Sequence, residues 1–300
     1  MNNRPPRILL TGCTGLIATH IAELDSEDID LILTSRSIPE FGSAAFFQFD
    51  WNATSKIQTF LSSIKPDIII HTAGVTSVDY AEQHKPETDA VNVQAVQEIV
   101  AWCASNDCHL VHFSTDFVFD GNKGLYAETD EAKPISYYGQ SKLKSESLVL
   151  GGLQNAVVIR TVLVYGYSRQ LSRLNFPIWL KQQLENRNEL NITADQFRTP
   201  TYAEDLAQAT LDLALSDHHG LFHVSGPEYL NVYEFAEKVC QVFDLDADLL
   251  KPSATKTMGQ AGQRPLKTGF NIDKVGNTIG FEPLNVMDGL AKMRSRMISA

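Results

Sequence analysis

The chain has 300 residues, 43% of them hydrophobic and 20% charged, and a formal net charge of −11. That length and apolar share predict a large core with two unequal lobes and exclude a disordered chain. The acidic balance favours solubility and argues against nucleic acid as a partner, because neutralising phosphates takes clustered Lys and Arg.

Four cysteines, Cys13, Cys103, Cys108 and Cys240, lack metal-ligand spacing and are expected as reduced, mostly buried thiols. His218, His219 and His223 have no accompanying carboxylate or thiolate pattern, so no metal site is expected. Polar MNNRPP leads straight into a short apolar run broken by Thr11-Gly12. Neither a secretion signal nor a membrane span is expected, and the cytoplasm is the expected location.

In chain order, the runs RILLTG, LILTS, PDIIIHTAG, HLVHFSTD and AVVIRTVLVYG alternate with helix-like stretches. This rhythm predicts repeated βαβ units and a parallel sheet, and the unalternated apolar runs predict strands covered on both faces. ETDAVNVQAVQEIVAWCAS and YYGQSKLKSESLVLGG carry helical spacing. After about Gly166 the rhythm changes, with NFPIWLKQQLEN and AEDLAQATLDLAL as further helices. The expected fold is α/β, a Rossmann-type doubly wound parallel sheet with a smaller C-terminal substrate lobe. Residues 1–165, completed by 199–224, form the nucleotide domain, and 166–198 with 225–300 form the lobe. No Gly/Ser linker or repeat divides the chain.

The first predicted βα turn reads Thr11-Gly12-Cys13-Thr14-Gly15-Leu16-Ile17-Ala18, the context that a dinucleotide loop requires. Gly12 permits the tight turn, Gly15 lets the backbone approach a pyrophosphate, and the opening helix offers its positive end. Thr14, Leu16 and Ile17 complete the candidate cradle. The second strand ends in Thr34-Ser35-Arg36-Ser37, where an acidic residue would hold the ribose hydroxyls of NAD. Arg36 instead suits a 2′-phosphate, with Ser35 or Ser37 adding a hydroxyl, so NADP(H) is expected ahead of NAD(H). His71, Thr72, Ala73 and Gly74 follow the next strand run as a cofactor wall. Asp79 and Glu82 read as helix-start residues complementing the dipole, and Asn92 as either a helix residue or one that orders backbone near the site.

Tyr138 and Lys142 are four apart on a predicted helix and so share a face, about 40° apart around the axis. Tyr137 lies about 140° from Lys142, which leaves Tyr138 as its partner. A nearby ammonium is expected to lower the phenol's pKa, and Lys142 can also hold the nicotinamide ribose. The end of the preceding strand carries Ser114-Thr115, and strand alternation aims only one of them at the site.

These pieces carry a family resemblance. TGCTGLIA, HTAGVTSVDYAE, VNVQAV, FSTDFVFDG, YAETDEAKPISYYGQSKLKSE, IRTVLVYG, DQFRTPTYAEDLA and RPLKTGFNIDK, in this order, resemble the dTDP-4-dehydrorhamnose reductase family of extended short-chain dehydrogenases. The resemblance covers essentially the whole chain. It implies hydride transfer from NADPH to the 4-keto group of a nucleotide-linked deoxysugar, with Thr115, Tyr138 and Lys142 at the catalytic positions. Substrate contacts are then expected from Thr115, Asp116, Phe117, Leu163, Arg198 and Arg264, the two arginines facing a substrate phosphate or solvent. The sequence departs from the family where Phe117 replaces Tyr, Leu163 replaces Trp and Arg198 replaces Gly. A homodimer is compatible with the chain. Two other readings accompany the reductase: an NADP-binding regulatory subunit, since the beta subunit of methionine adenosyltransferase is similar to this family, and a sugar-nucleotide epimerase.

Overall fold

The computed structural model describes residues 4–24, 27–38, 44–169 and 174–299. Its first half runs β1 (Arg7–Thr11), α1 (Leu16–Glu23), β2 (Asp30–Ser35), β3 (Ala45–Gln48), α2 (Thr54–Ile64) and β4 (Ile68–His71). There follow α3 (Val78–Gln83), α4 (Lys85–Asp89), a π-helical turn (Ala90–Gln94), α5 (Ala95–Asn106), β5 (His109–Thr115), α6 (Tyr137–Gly152) and β6 (Ala156–Thr161). The second half adds β7 (Val164–Tyr165), α7 (Phe176–Glu185), β8 (Leu190–Thr193), β9 (Phe197–Arg198), β10 (Thr201–Tyr202), α8 (Ala203–Ala214) and β11 (Gly220–His223). It closes with β12 (Leu230–Asn231), α9 (Val232–Phe243), β13 (Leu250–Ser253), α10 (Asp273–Ile279) and α11 (Val286–Ser299).

Seven strands form one sheet in the order β11-β6-β5-β4-β1-β2-β3, with every neighbouring pair parallel. Every residue of β4, β5 and β6 is buried, as unalternated apolar strands require. Leu9, Ile69, Leu110 and Val158 face α2 and α5 through Ile57, Leu61, Val96 and Ile99. Leu10, Ile70, Val111 and Ile159 face the other layer, where α1 and α8 contribute Ala18, Ile21, Leu206 and Leu213. Each such buried Leu, Ile or Val side chain contributes about 1.5–3 kcal/mol, which fixes the register of helices on sheet.

The expected Rossmann-type sheet is therefore present. Strand order reverses between β1 and β4, so Thr11 and His71 end the two strands that border the ligand crevice of an open α/β sheet. β3 has no counterpart among the expected strands. As a mostly exposed edge strand it needs no continuous apolar run. A third apolar cluster, including Leu180, Phe235, Val239, Leu290 and Met293, joins α7, α9 and α11. All four cysteines are buried and unpaired. Among the described residues, no helix is long and apolar enough to cross a membrane, and no group of three or more His, Cys, Asp or Glu can hold a metal ion.

Candidate active site

Gly12 adopts φ +66°, and a Cβ on it would lie 3.0 Å from the backbone of Ala73. Its missing side chain lets the β1–α1 turn pack on the Thr72-Ala73-Gly74 segment after β4. The Thr11 hydroxyl ties the two together by accepting from the backbone N–H of Thr72 and of Ala73, both at 3.1 Å. Gly15, whose N–H donates to the Gly12 carbonyl at 2.9 Å, caps α1 without any side-chain bond. The N-cap, being glycine, thus puts no side chain of its own between an anionic ligand and the N–H groups of the first turn, from Leu16 and Ile17 onward. Thr14 is half-buried within this turn.

Asn92, held in the π-helical turn, links this wall to the helix beside it. Its Oδ1 accepts from the Val75 N–H at 2.8 Å, while Nδ2 donates to the Val75 carbonyl and to the Ser141 hydroxyl, both at 3.0 Å. Arg36 is exposed at the end of β2, with no ion-pair partner among the described residues. The Ser35 hydroxyl is buried and donates to the Ser37 carbonyl, which leaves the exposed Arg36 and the Ser37 hydroxyl as the polar groups at this strand end.

The helix α6 begins on a capping bond from the Gly139 N–H to the Ser136 hydroxyl at 3.1 Å. Tyr138 and Lys142, each 8% exposed, lie on its inner face. Tyr137 points away: its hydroxyl donates to Asp89 at 2.8 Å and its backbone N–H to Glu82 at 2.7 Å. Glu82 thus caps the start of α6 instead of serving only its own helix.

The alternation of β5 decides between Ser114 and Thr115. Ser114 donates to Glu146, whose carboxylate pairs with Arg160 at 2.8 and 2.6 Å deep in the core. Thr115 turns the other way, donates to Asp116 at 3.0 Å and accepts from the Phe117 N–H at 3.2 Å, capping a 3₁₀ turn over Asp116–Val118. The Phe117 ring meets Tyr138 edge-on at 5.8 Å, and the Arg198 guanidinium lies 5.7 Å from the same ring.

Burial pushes the Tyr138 phenol up to about 12, opposed by the Thr115 hydroxyl. The expected lowering by Lys142 does not occur in this state, because desolvation outweighs every other influence on the phenol. Burial also brings the Lys142 ammonium down to about 8, with Glu146 opposing. No protein group among those described accepts a hydrogen bond from this ammonium.

Beside Phe117 opens a cavity of about 350 Å³. Asp116, Phe117, Leu163, Arg198 and Arg264 line it together with Phe176 and Trp179 of α7, while Thr115 is not among the lining residues. Those two aromatics were not anticipated as site residues, although their spacing of three puts them on one helix face. They supply the flat apolar surface that Leu163, a half-buried leucine at φ +38°, does not.

The two arginines differ from expectation. Arg198 is 4% exposed and fully committed, donating to the carbonyls of Phe197, Leu266 and Pro265 and to Gln196, with Asp116 at 3.4 Å. It clamps the 265–266 segment onto β9 and is not a solvated charge. Arg264 pairs with Asp79 at 2.7 Å and donates to the Gly262 carbonyl. Asp79 therefore anchors the 262–264 loop to α3, beyond complementing a helix dipole.

The arrangement fits a dinucleotide: a glycine turn with no room for a Cβ, a helix start whose cap is a glycine, and a buried ammonium with no acceptor among the described residues. Comparison with known proteins agrees. The chain is 30% identical over 290 residues to the probable low-salt glycan biosynthesis reductase Agl14 of Haloferax volcanii, covering 95% of this chain and 96% of that one. It is 28% identical over 267 residues to methionine adenosyltransferase 2 subunit beta of Danio rerio, covering 86% and 80%. The crystal structure of dTDP-4-dehydrorhamnose reductase from Bacillus anthracis in complex with NADP superposes with a TM-score of 0.87 at 26% identity, over 97% of this chain and 99% of that one. The family described as RmlD substrate binding domain matches residues 6–298, and the chain belongs to it, within the dTDP-4-dehydrorhamnose reductase group that its motifs resemble.

Proposed function

We propose that this chain is an NADPH-dependent reductase of a 4-keto deoxysugar nucleotide. The observation that carries the reading is the convergence of Thr115, Tyr138 and Lys142 between the glycine turn and the aromatic cavity. Residues 1–165 with 199–224 hold the cofactor, and 166–198 with 225–300 form the substrate lobe, acting in the cytoplasm.

Reduced nicotinamide, when bound, supplies the hydride for the carbonyl carbon. Negative charge then builds on the carbonyl oxygen, and a donor aimed there lowers the barrier. Tyr138 gives that oxygen its phenolic proton, and Thr115 holds the same oxygen by hydroxyl contact. Lys142 holds the ribose hydroxyls and, as a cation, stabilises the phenolate left on Tyr138. Gly12, Thr14, Gly15, Leu16 and Ile17 take the pyrophosphate, Arg36 the 2′-phosphate, with Ser35 committed beneath it to the Ser37 carbonyl, and His71 to Gly74 form the wall. Trp179 and Phe176 offer stacking surface to a base or sugar ring.

Retention of the full Thr115–Tyr138–Lys142 set favours catalysis over a regulatory role, and an exposed Arg36 in place of an acidic residue favours a reductase over an NAD-dependent epimerase. The test is NADPH oxidation by the purified protein across a panel of 4-keto sugar nucleotides, with free nucleoside diphosphates as competitors. Turnover with at least one member and competition by a diphosphate are expected. No oxidation across the panel overturns the reading, and turnover without competition redirects it to a free keto sugar.

A further inference from the structure

Two arginines border the cavity beside Phe117, and they differ in how much of each guanidinium is already spent. A guanidinium carries five N–H donors in one fixed plane. Those of Arg198 are all engaged: Nη1 donates to the carbonyls of Phe197 and Leu266, Nη2 to Gln196 and the Pro265 carbonyl, and Nε faces Asp116 at 3.4 Å. Arg264 is held differently. Its Nη1 donates to Asp79 Oδ1 at 3.1 Å and to the Gly262 carbonyl at 2.7 Å, while Nη2 donates to Asp79 Oδ2 at 2.7 Å. The carboxylate thus grips the far end of the guanidinium. Its side edge, the Nε–H and the second hydrogen on Nη2, has no hydrogen-bond partner among the described residues. Two such parallel donors match two oxygens of one phosphate group.

The grip on Arg264 comes from outside the cavity, because Arg264 is a lining residue and Asp79 is not. Asp79 is itself fixed in place. It lies in the first turn of α3 and also accepts the Gly262 N–H at 2.9 Å. The Gly262 backbone rests on the same helix so closely that a Cβ there would come within 2.6 Å of Val78 Cγ1. Val78 and Ala81 of α3 pack in one cluster with Tyr138, and Glu82 caps α6. The bond to Arg264 holds the Asp79 carboxyl below its ordinary value against the opposing effect of burial, so the pair stays ionised.

We propose that the free side edge of Arg264 binds a phosphate of the substrate's diphosphate, and that Asp79 is the positioning residue that holds this edge ready. The proposal rests on the reading of the chain as a reductase of a nucleotide-linked sugar. Of the charged residues that line the cavity, Asp116 and Arg198 are occupied with each other and with backbone, which leaves Arg264 to meet an anion. Asp79 exchanges attraction for geometry. Its charge repels a diphosphate, yet it orders the long Arg264 side chain in advance, so binding does not have to.

Calorimetric titration of the NADPH-saturated protein with dTDP against thymidine, and with UDP against uridine, tests the anchor while the cofactor fills its own phosphate sites. A diphosphate is expected to bind roughly 10- to 100-fold more tightly than its nucleoside. Arg264→Gln is expected to abolish that preference with nucleoside affinity unchanged, which also shows the cavity intact. Arg264→Lys keeps the charge but not the fork, and is expected to restore little. Failure of both diphosphates to bind, equal affinity of diphosphate and nucleoside, or a Lys variant equal to wild type overturns the anchor. Should Arg264→Gln not fold, the wild-type preference and the Lys variant decide. Asp79→Asn is titrated in about 0.5 M salt, where screening within a few ångströms suppresses the repulsion from the Asp79 charge. It is expected to lose roughly tenfold of the diphosphate preference while nucleoside affinity holds. Diphosphate binding as tight as wild type, or equal loss of diphosphate and nucleoside, overturns the positioning role. Turnover of a keto-sugar nucleotide with wild-type KM in Arg264→Gln removes the anchor and leaves the reductase reading standing. A diphosphate preference that needs Arg264, without NADPH oxidation across the substrate panel, does the reverse.

Discussion

A Cβ on Gly139 would lie 2.1 Å from the carbonyl oxygen of Phe117. The first turn of α6 therefore rests on the backbone of the turn after β5, and this contact delivers Tyr138 to Thr115. In an unconstrained helix, Gly→Ala stabilises by about 1 kcal/mol. Here the two backbones must separate, and overpacking of this kind costs about 1–3 kcal/mol. Gly139→Ala is expected to lower the melting temperature and to cut kcat/KM roughly 100-fold, since small displacements of reacting groups cost that much. An alanine variant that is more stable and fully active contradicts the close-approach account.

Tyr138→Phe keeps the ring and its edge contact with Phe117 but removes the transferable proton. Turnover is expected to fall by roughly 10²–10⁴-fold, the usual range for a lost acid–base group, with NADPH affinity unchanged. Thr115→Val keeps shape and lowers turnover without weakening the cofactor. Tyr137→Phe loses only the bond to Asp89 and serves as the control, with turnover near wild type. Steady-state kinetics and cofactor titration check all three, and equal effects at Tyr137 and Tyr138 refute the assignment.

Arg36 is the exposed cation at the end of β2, and charged hydrogen bonds contribute about 1.5–3 kcal/mol. Arg36→Ala is expected to weaken NADPH by roughly 10- to 100-fold while leaving NADH nearly unaffected. Calorimetric titration of both cofactors measures this. Equal affinity of the wild type for NADPH and NADH would sink the 2′-phosphate reading.

The central sheet was legible because β1, β2, β4, β5 and β6 are buried on both faces and so read as continuous apolar runs. Tyr138 and Lys142 were legible because a helical period alone puts them on one face. The partners of the two arginines were not: Arg264 meets Asp79 across 185 positions, and no local spacing encodes that pairing. Gly139 was equally silent, since a helical glycine looks like a weak spot until the backbone it touches is known. Arg160 did leave a signal, because an arginine inside a buried strand demands a buried carboxylate, here Glu146.

Lys142 makes function compete with stability. Its ammonium is held at about 8, mainly by burial, against an ordinary value of 10.5. Between those values the unfolded chain holds a proton that the folded protein has released, so stability rises with pH across this window and is lowest below it. Lys142→Met removes the cost of burying a charge while filling similar space. In the cofactor-free protein at pH 7 the variant is expected to be more stable by roughly 3 kcal/mol. The advantage should shrink as pH climbs through 8 and vanish near 10.5, where the wild-type lysine is neutral in both states. Cofactor affinity and turnover should both fall in the variant, because the same ammonium serves the ribose and the phenolate. Denaturant melts at pH 7 and pH 10 test the stability half. A difference between variant and wild type that is the same at both pH values would show that the gain comes from packing, and that burial of the Lys142 charge is not what the fold sacrifices for its chemistry.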